Sequence, residues 1–201
     1  LVITNYAKDG SSSTTPTAQN YIDAGITTGT NAANINSSNI DIINGAIHSN
    51  LSKSDVSTRG QIKAVANAYN AILTAADGTS GDHSGDALTV QQYATIGINV
   101  GSPLIGLASV TVDANNNKTF SSIDADKLKL LNSAIGAQAQ AGVSSPNQIA
   151  AIANTASDLI RLAKESSSDP VVGSTTLSLS SLQAFGLTGL TTQTAANAVL
   201  N

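Results

Sequence analysis

Three times along this chain a Ser or Thr opens a short helical pattern that a glycine closes several residues later. The copies are TAQNYIDAGI at 17–26, TVQQYATIGI at 89–98 and SLSSLQAFGL at 178–187. A hydroxyl in the cap position accepts a hydrogen bond from a first-turn amide. Glycine takes the left-handed conformation that ends a helix, because it has no Cβ to clash. With Gly25, Gly97 and Gly186 at C′, the residue four earlier is C3 and the next one is C″. A Schellman ending then predicts apolar contacts Tyr21–Ile26, Tyr93–Ile98 and Leu182–Leu187. Recurrence of this kind restricts the fold to an array of similar modules.

The rest of the module also recurs. IDIINGAI at 40–47 matches LKLLNSAI at 128–135, with Ile40, Ile43 and Ile47, or Leu128, Leu131 and Ile135, forming one helical stripe. Ser38 or Asn39, and Asp124 in the second copy, are the N-caps. A second helix follows each time. Thr58 and Gln61, like Ser145 and Gln148, have the spacing of a capping box, and Pro146 falls at N1, where a helix tolerates it. Ile62, Val65, Tyr69, Ile72 and Leu73 then line one face, as do Ile149, Ile152, Ala156, Leu159, Ile160 and Ala163.

Thr58 and Ser145 stand 87 positions apart, Asn44 and Asn132 88, but Gly25 and Gly97 only 72. The difference is an insertion after Gly97, where apolar residues alternate around an Asn-rich turn and predict a β-hairpin at about 108–121. The expected fold is mainly α: tandem small helical bundles with a hairpin insertion in the second. The boundaries read as an extended leader over 1–16, repeats over 17–87 and 88–176, and the start of a third, truncated repeat over 177–201. That early ending, and a sequence without Met, imply a processed or truncated piece of a longer protein.

Composition narrows the function. Hydrophobic residues make up 41%, enough for a core, yet only 11% are charged against about 25% in an average soluble protein. A net charge of −4, with no Lys/Arg stripe, argues against nucleic acid as a partner. No apolar run approaches the roughly 18 residues of a membrane span. There is no Cys, hence no disulfide and no thiolate chemistry.

Catalytic patterns are missing. G-x-S-x-G and both glycine-rich phosphate motifs are absent, Glu165 is the sole glutamate, and no small-molecule substrate is evident. His48 and His83 read as polar loop residues without companion ligands. Calcium is the one ion worth weighing, since Asp77, Asp82 and Asp86 lie among glycines between two modules. The corresponding stretch around Asp169 keeps fewer carboxylates, so a polar turn explains the segment better. Asp113, Asn115, Asn117 and Asp124 imitate a calcium loop, but Lys118 replaces its glycine and a hairpin turn accounts for them. Tyr21, Tyr69 and Tyr93 could stack on sugars; their positions on apolar stripes make them core residues instead. Thr and Asn abundance lacks the short strict period of an ice-binding surface.

The order of Tyr-x-x-x-Gly-Ile, an Asn-x-Ala-Ile helix, and a capping-box helix ending in AADG resembles helical repeats of very long bacterial surface proteins, the Bap-like or RTX-type adhesins exported by type I secretion. The resemblance covers about 17–201. It implies extracellular, cell-surface display, no catalytic residues and frequent calcium dependence. The expected role is a non-enzymatic spacer of an adhesin involved in cell adhesion or biofilm cohesion, whose partners are neighbouring repeats. The alternative is a self-assembling surface-layer or filament subunit whose partners are identical subunits.

Overall fold

A computed structural model describes residues 2–26, 35, 39–79, 87–114, 117–164, 177–187, 189 and 191–192. It is mainly helical: α1 (Val2–Tyr6), α2 (Ala18–Asp23), α3 (Ile40–Asn50), α4 (Arg59–Ala75), α5 (Val90–Thr95), α6 (Ala125–Gly136), α7 (Pro146–Lys164) and α8 (Leu179–Ala184). Short 3-10 turns at Lys53–Val56 and Gln140–Val143 precede α4 and α7. Strands β1 (Ser109–Val112) and β2 (Lys118–Ser121) pair antiparallel, with Val110 opposite Phe120.

Each of the three short helices, α2, α5 and α8, ends in the same backbone pattern. Gly25, Gly97 and Gly186 have φ of 75°, 89° and 99°. Ile26 N–H donates to Tyr21 O at 2.9 Å, Ile98 N–H to Tyr93 O at 3.1 Å and Leu187 N–H to Leu182 O at 3.0 Å. These are the six-to-one bonds of a Schellman ending, so carbonyls that a helix end leaves orphaned are satisfied. Ile26 and Ile98 are buried, whereas Leu187 is 38% exposed.

The long helices have matching entrances. Gln61 Oε1 accepts from Thr58 N–H at 3.0 Å while Gln61 N–H donates to Thr58 Oγ1 at 3.2 Å, a complete capping box. Gln148 N–H donates to Ser145 Oγ at 3.3 Å. Each Gln also reaches across its 3-10 turn, Gln61 Nε2 to Ser54 O at 2.8 Å and Gln148 Nε2 to Ala141 O at 3.3 Å. Of the caps expected on the preceding helices, Asp124 accepts from Lys127 N–H at 3.1 Å. Asn39 instead donates its Nδ2 to Asn70 Oδ1 at 2.6 Å, because the pair is buried and needs the partner more than the helix end does.

Two expectations need correction. The leader over 1–16 is not wholly extended: Ile3 and Ala7, one helical turn apart, are buried, and covering them against α2 and α3 holds Val2–Tyr6 in a helix. His48 is not in a loop; it lies in α3, stacked on Tyr6 with ring centroids 4.5 Å apart. His83, Ser38, Asn115, Glu165, Asp169 and residues 193–201, where a third copy was expected to break off, lie outside the described residues.

One continuous apolar core runs through 2–156, taking in α1 to α7, and a small second cluster joins Leu177 and Leu182 to Leu159 and Leu162. The helix α4 is central. It packs on α3 and the turn before it, and also on α5, α6 and the 3-10 turn at 140–143.

Candidate functional site

Two matched hydrogen-bond relays link the apolar core to the backbone. Tyr21 hydroxyl donates to Asn44 Oδ1 at 2.5 Å, and Asn44 Nδ2 donates to Pro16 O at 2.8 Å. In the other half Tyr93 hydroxyl donates to Asn132 Oδ1 at 2.8 Å, and Asn132 Nδ2 donates to Leu88 O at 2.9 Å. Each relay ties a short helix, the next helix and the strand of chain entering the short helix. Both tyrosines are fully buried. Unpaired polar atoms there would carry a desolvation cost of about 1–3 kcal/mol each. The relays therefore fix which side of α3 and α6 faces inward.

A third buried phenol, Tyr69 on α4, donates to Val143 O at 3.1 Å, and Gln140 Nε2 donates back to Leu73 O at 3.0 Å. Beyond α4 the chain stays attached: Gly78 N–H donates to Gly136 O and Gln138 O, and Asp77 forms an antiparallel bridge with Ala139. Burial pushes the phenols of Tyr21, Tyr69 and Tyr93 well above their ordinary range, with Tyr6 adding to the effect at Tyr21. Neutral, fully committed hydroxyls are structural donors, which fits the core reading of these tyrosines rather than a sugar platform.

The calcium candidates are only partly placed. Asp77 Oδ1 accepts from Thr79 N–H at 2.8 Å and from Thr79 Oγ1 at 2.6 Å, closing an Asx turn. Asp82 and Asp86 lie outside the described residues. Among the described residues no group of three or more His, Asp or Glu could hold a metal ion. The second imitation of a calcium loop is a hairpin turn. Both Asp113 oxygens accept from Asn117, at 2.8 Å each, while Asp124 caps α6.

The hairpin is what the sequence places but does not dock. Phe120 and Val110 pack on the core, and Lys118 reaches Asp55 at 3.5 Å, before α4. Burial opposes ionisation of Asp55, but the Ser52 hydroxyl and N–H, with the Lys118 ammonium, outweigh it and hold the carboxyl below its ordinary range. Beneath lies a cleft of about 170 Å³ lined by Asn50, Gly97, Ile98 and Phe120, with Asp55 and Lys118 paired across it. A wider one of about 440 Å³, beside Leu104 and Ile160, holds Asp158 and Arg161 paired at 3.1 Å, and Asp124, the α6 cap. The carboxylates lining both clefts thus have structural partners.

Sequence reasoning missed three features. The short helices carry boxes of their own, with Thr89 N–H donating to Gln92 Oε1 at 2.7 Å and Thr17 N–H to Asn20 Oδ1 at 2.9 Å. The T-x-x-Q and T-x-x-N spacing was the available signal. The role of Asn44 and Asn132 was legible as a polar residue recurring on an apolar stripe. The dual use of α4 had no local signal.

Comparison with protein families, with characterised proteins and with solved structures finds no match. Among the described residues no helix is long and apolar enough to cross a membrane.

Proposed function

We propose that residues 17–201 are tandem copies of one helical module and that the chain is a non-enzymatic spacer segment of an extracellular bacterial adhesin, displayed at the cell surface. The observation that carries the modular part is the recurrence of whole hydrogen-bond sets rather than of single residues. Tyr21–Asn44–Pro16 and Tyr93–Asn132–Leu88 repeat, as do Gln61–Ser54 and Gln148–Ala141. Such local sets would recur by descent from one module.

A spacer needs modules joined without hinges. The shared use of α4 supports that role, since the last long helix of the first module helps build the core of the second. Few charges and an abundance of Ser, Thr, Asn and Gln suit a hydrated, non-enzymatic spacer. No step of catalysis is assigned to any residue, and calcium enters only as a candidate at Asp77, Asp82 and Asp86.

Antibodies raised against this segment test the display. They should label intact cells of the source organism as strongly as permeabilised ones, while a cytosolic marker stays dark. Labelling that requires permeabilisation would end the adhesin reading.

A further inference from the structure

Asn44–Gly45 is the single Asn-Gly pair in the sequence, and it lies inside α3. Asn-Gly is the dipeptide most prone to ring closure between an Asn side chain and the next backbone nitrogen, because glycine has no Cβ to hinder the approach. The glycine itself needs a reason. Inside a helix it is less stable than alanine. Gly45 is not among the glycines with positive φ, and a Cβ built on it would meet nothing within 4 Å. Neither backbone conformation nor packing therefore requires glycine at this position. What it supplies is an unhindered nitrogen beside the Asn44 side chain.

The fold restrains both reacting groups. Asn44 is 3% exposed, its Oδ1 accepts from the Tyr21 hydroxyl and its Nδ2 donates to Pro16 O. The Gly45 N–H belongs to the helix ladder, which commits each interior amide to the carbonyl four residues back. The side-chain amide is thus turned into the core while the nitrogen that would attack it is held along the helix axis. In the other relay Asn132 is followed by Ser133, whose Cβ hinders the same closure.

We propose that Asn44 is a self-modification site gated by the fold: it is converted to an acid when α3 opens, and the product locks the chain out of the native state. On opening, the Gly45 nitrogen gives its proton to water or hydroxide and bonds to Asn44 Cγ. The Cγ–Nδ2 bond breaks and ammonia leaves, forming a succinimide. Water then opens the ring at either carbonyl, giving aspartate or isoaspartate. The aspartate carboxylate has no hydrogen for Pro16 O, so two acceptors and a charge would face each other in a buried place. The isoaspartate carries an extra methylene in the backbone, which throws the ladder of α3 out of register. Either product turns a reversible opening into a permanent one. The site rests on the relay and α3 alone, and not on surface display.

Mass spectrometry of the peptide containing Asn44 distinguishes the amide from the acid. Protein kept folded in buffer and protein kept unfolded in guanidinium chloride are incubated at the same mildly alkaline pH. The unfolded chain should convert Asn44 ahead of its other asparagines, and the folded protein many-fold more slowly. After removal of the denaturant, the fraction that regains helical circular dichroism should match the fraction in which Asn44 is still an amide. Gly45→Ala keeps the relay; its unfolded chain should convert many-fold more slowly and refold in full. Equal conversion in folded and unfolded protein, converted chains that regain the native spectrum, or Gly45→Ala converting as fast as the unmodified chain would each overturn the proposal.

Discussion

At the scale of single residues, two kinds of position carry the structure: glycines that the backbone forces, and buried polar groups that must be paired. Three glycines separate backbone strain from crowding. Gly78 has φ of 79° and nothing within 4 Å of where a Cβ would stand, so Gly78→Ala should cost only the left-handed penalty of about 1–2 kcal/mol. A Cβ at Gly25 would lie 2.6 Å from Arg59 Cζ, a side chain that can swing away. At Gly97 it would lie 2.6 Å from Asn50 Cβ and 3.2 Å from Asn50 O, atoms fixed by α3. Chemical denaturation should therefore rank Gly97→Ala as the most damaging of the three; equal losses would remove crowding from the account. The buried phenols set the alkaline limit. In the unfolded chain a phenol ionises near pH 10, and burial raises that value for Tyr21, Tyr69 and Tyr93 in the folded protein. Their contribution is complete below about pH 10 and is lost as pH rises beyond it. Their absorbance change at high pH should appear together with loss of helical circular dichroism, and ionisation with the helices intact would contradict the burial. Tyr93→Phe leaves Asn132 Oδ1 without its phenol partner, and a loss of about 1–3 kcal/mol is expected.

At the scale of elements, the capping boxes and stripes made the helices legible in the sequence itself. Hydroxyl and glutamine spacing located Thr58–Gln61 and Ser145–Gln148, and glycine located the ends of α2, α5 and α8. These signals are local, because the groups they satisfy lie within one turn. The hairpin was legible as alternation, but its docking was not, since Lys118 finds Asp55 across 63 positions. The helix α1 was missed for a related reason: five residues carry too little period, and burial of Ile3 by distant elements decides the matter. Docking of the hairpin is acid-sensitive. Asp55 has its folded value lowered, so its contribution is present above the unfolded value of about 4 and fades as pH falls through the folded one. Amide signals of Val110 and Phe120 should therefore shift on acidification in the native protein and much less in Asp55→Asn. Indistinguishable titrations in the two proteins would remove Asp55 from the docking.

At the scale of the whole molecule, the proposed modules and the packing are out of step. The proposed first module ends with α4, yet the core around α5 and α6 is completed by that same helix, and hydrogen bonds from Tyr69 and Gly78 cross to 136–143. The boundary proposed near residue 87 is thus no break in the packing, because residue spacing records recurrence along the chain and not which elements share a core. The consequence is coupled stability: the halves should resist opening together, in contrast with beads on a string. Native-state hydrogen exchange on Ile72→Ala tests this most directly, because Ile72 is fully buried on α4. Truncation there should cost about 2–5 kcal/mol. Amides of α5 and α6 are predicted to lose protection as much as those of α3; a loss confined to residues 39–76 would contradict a shared core.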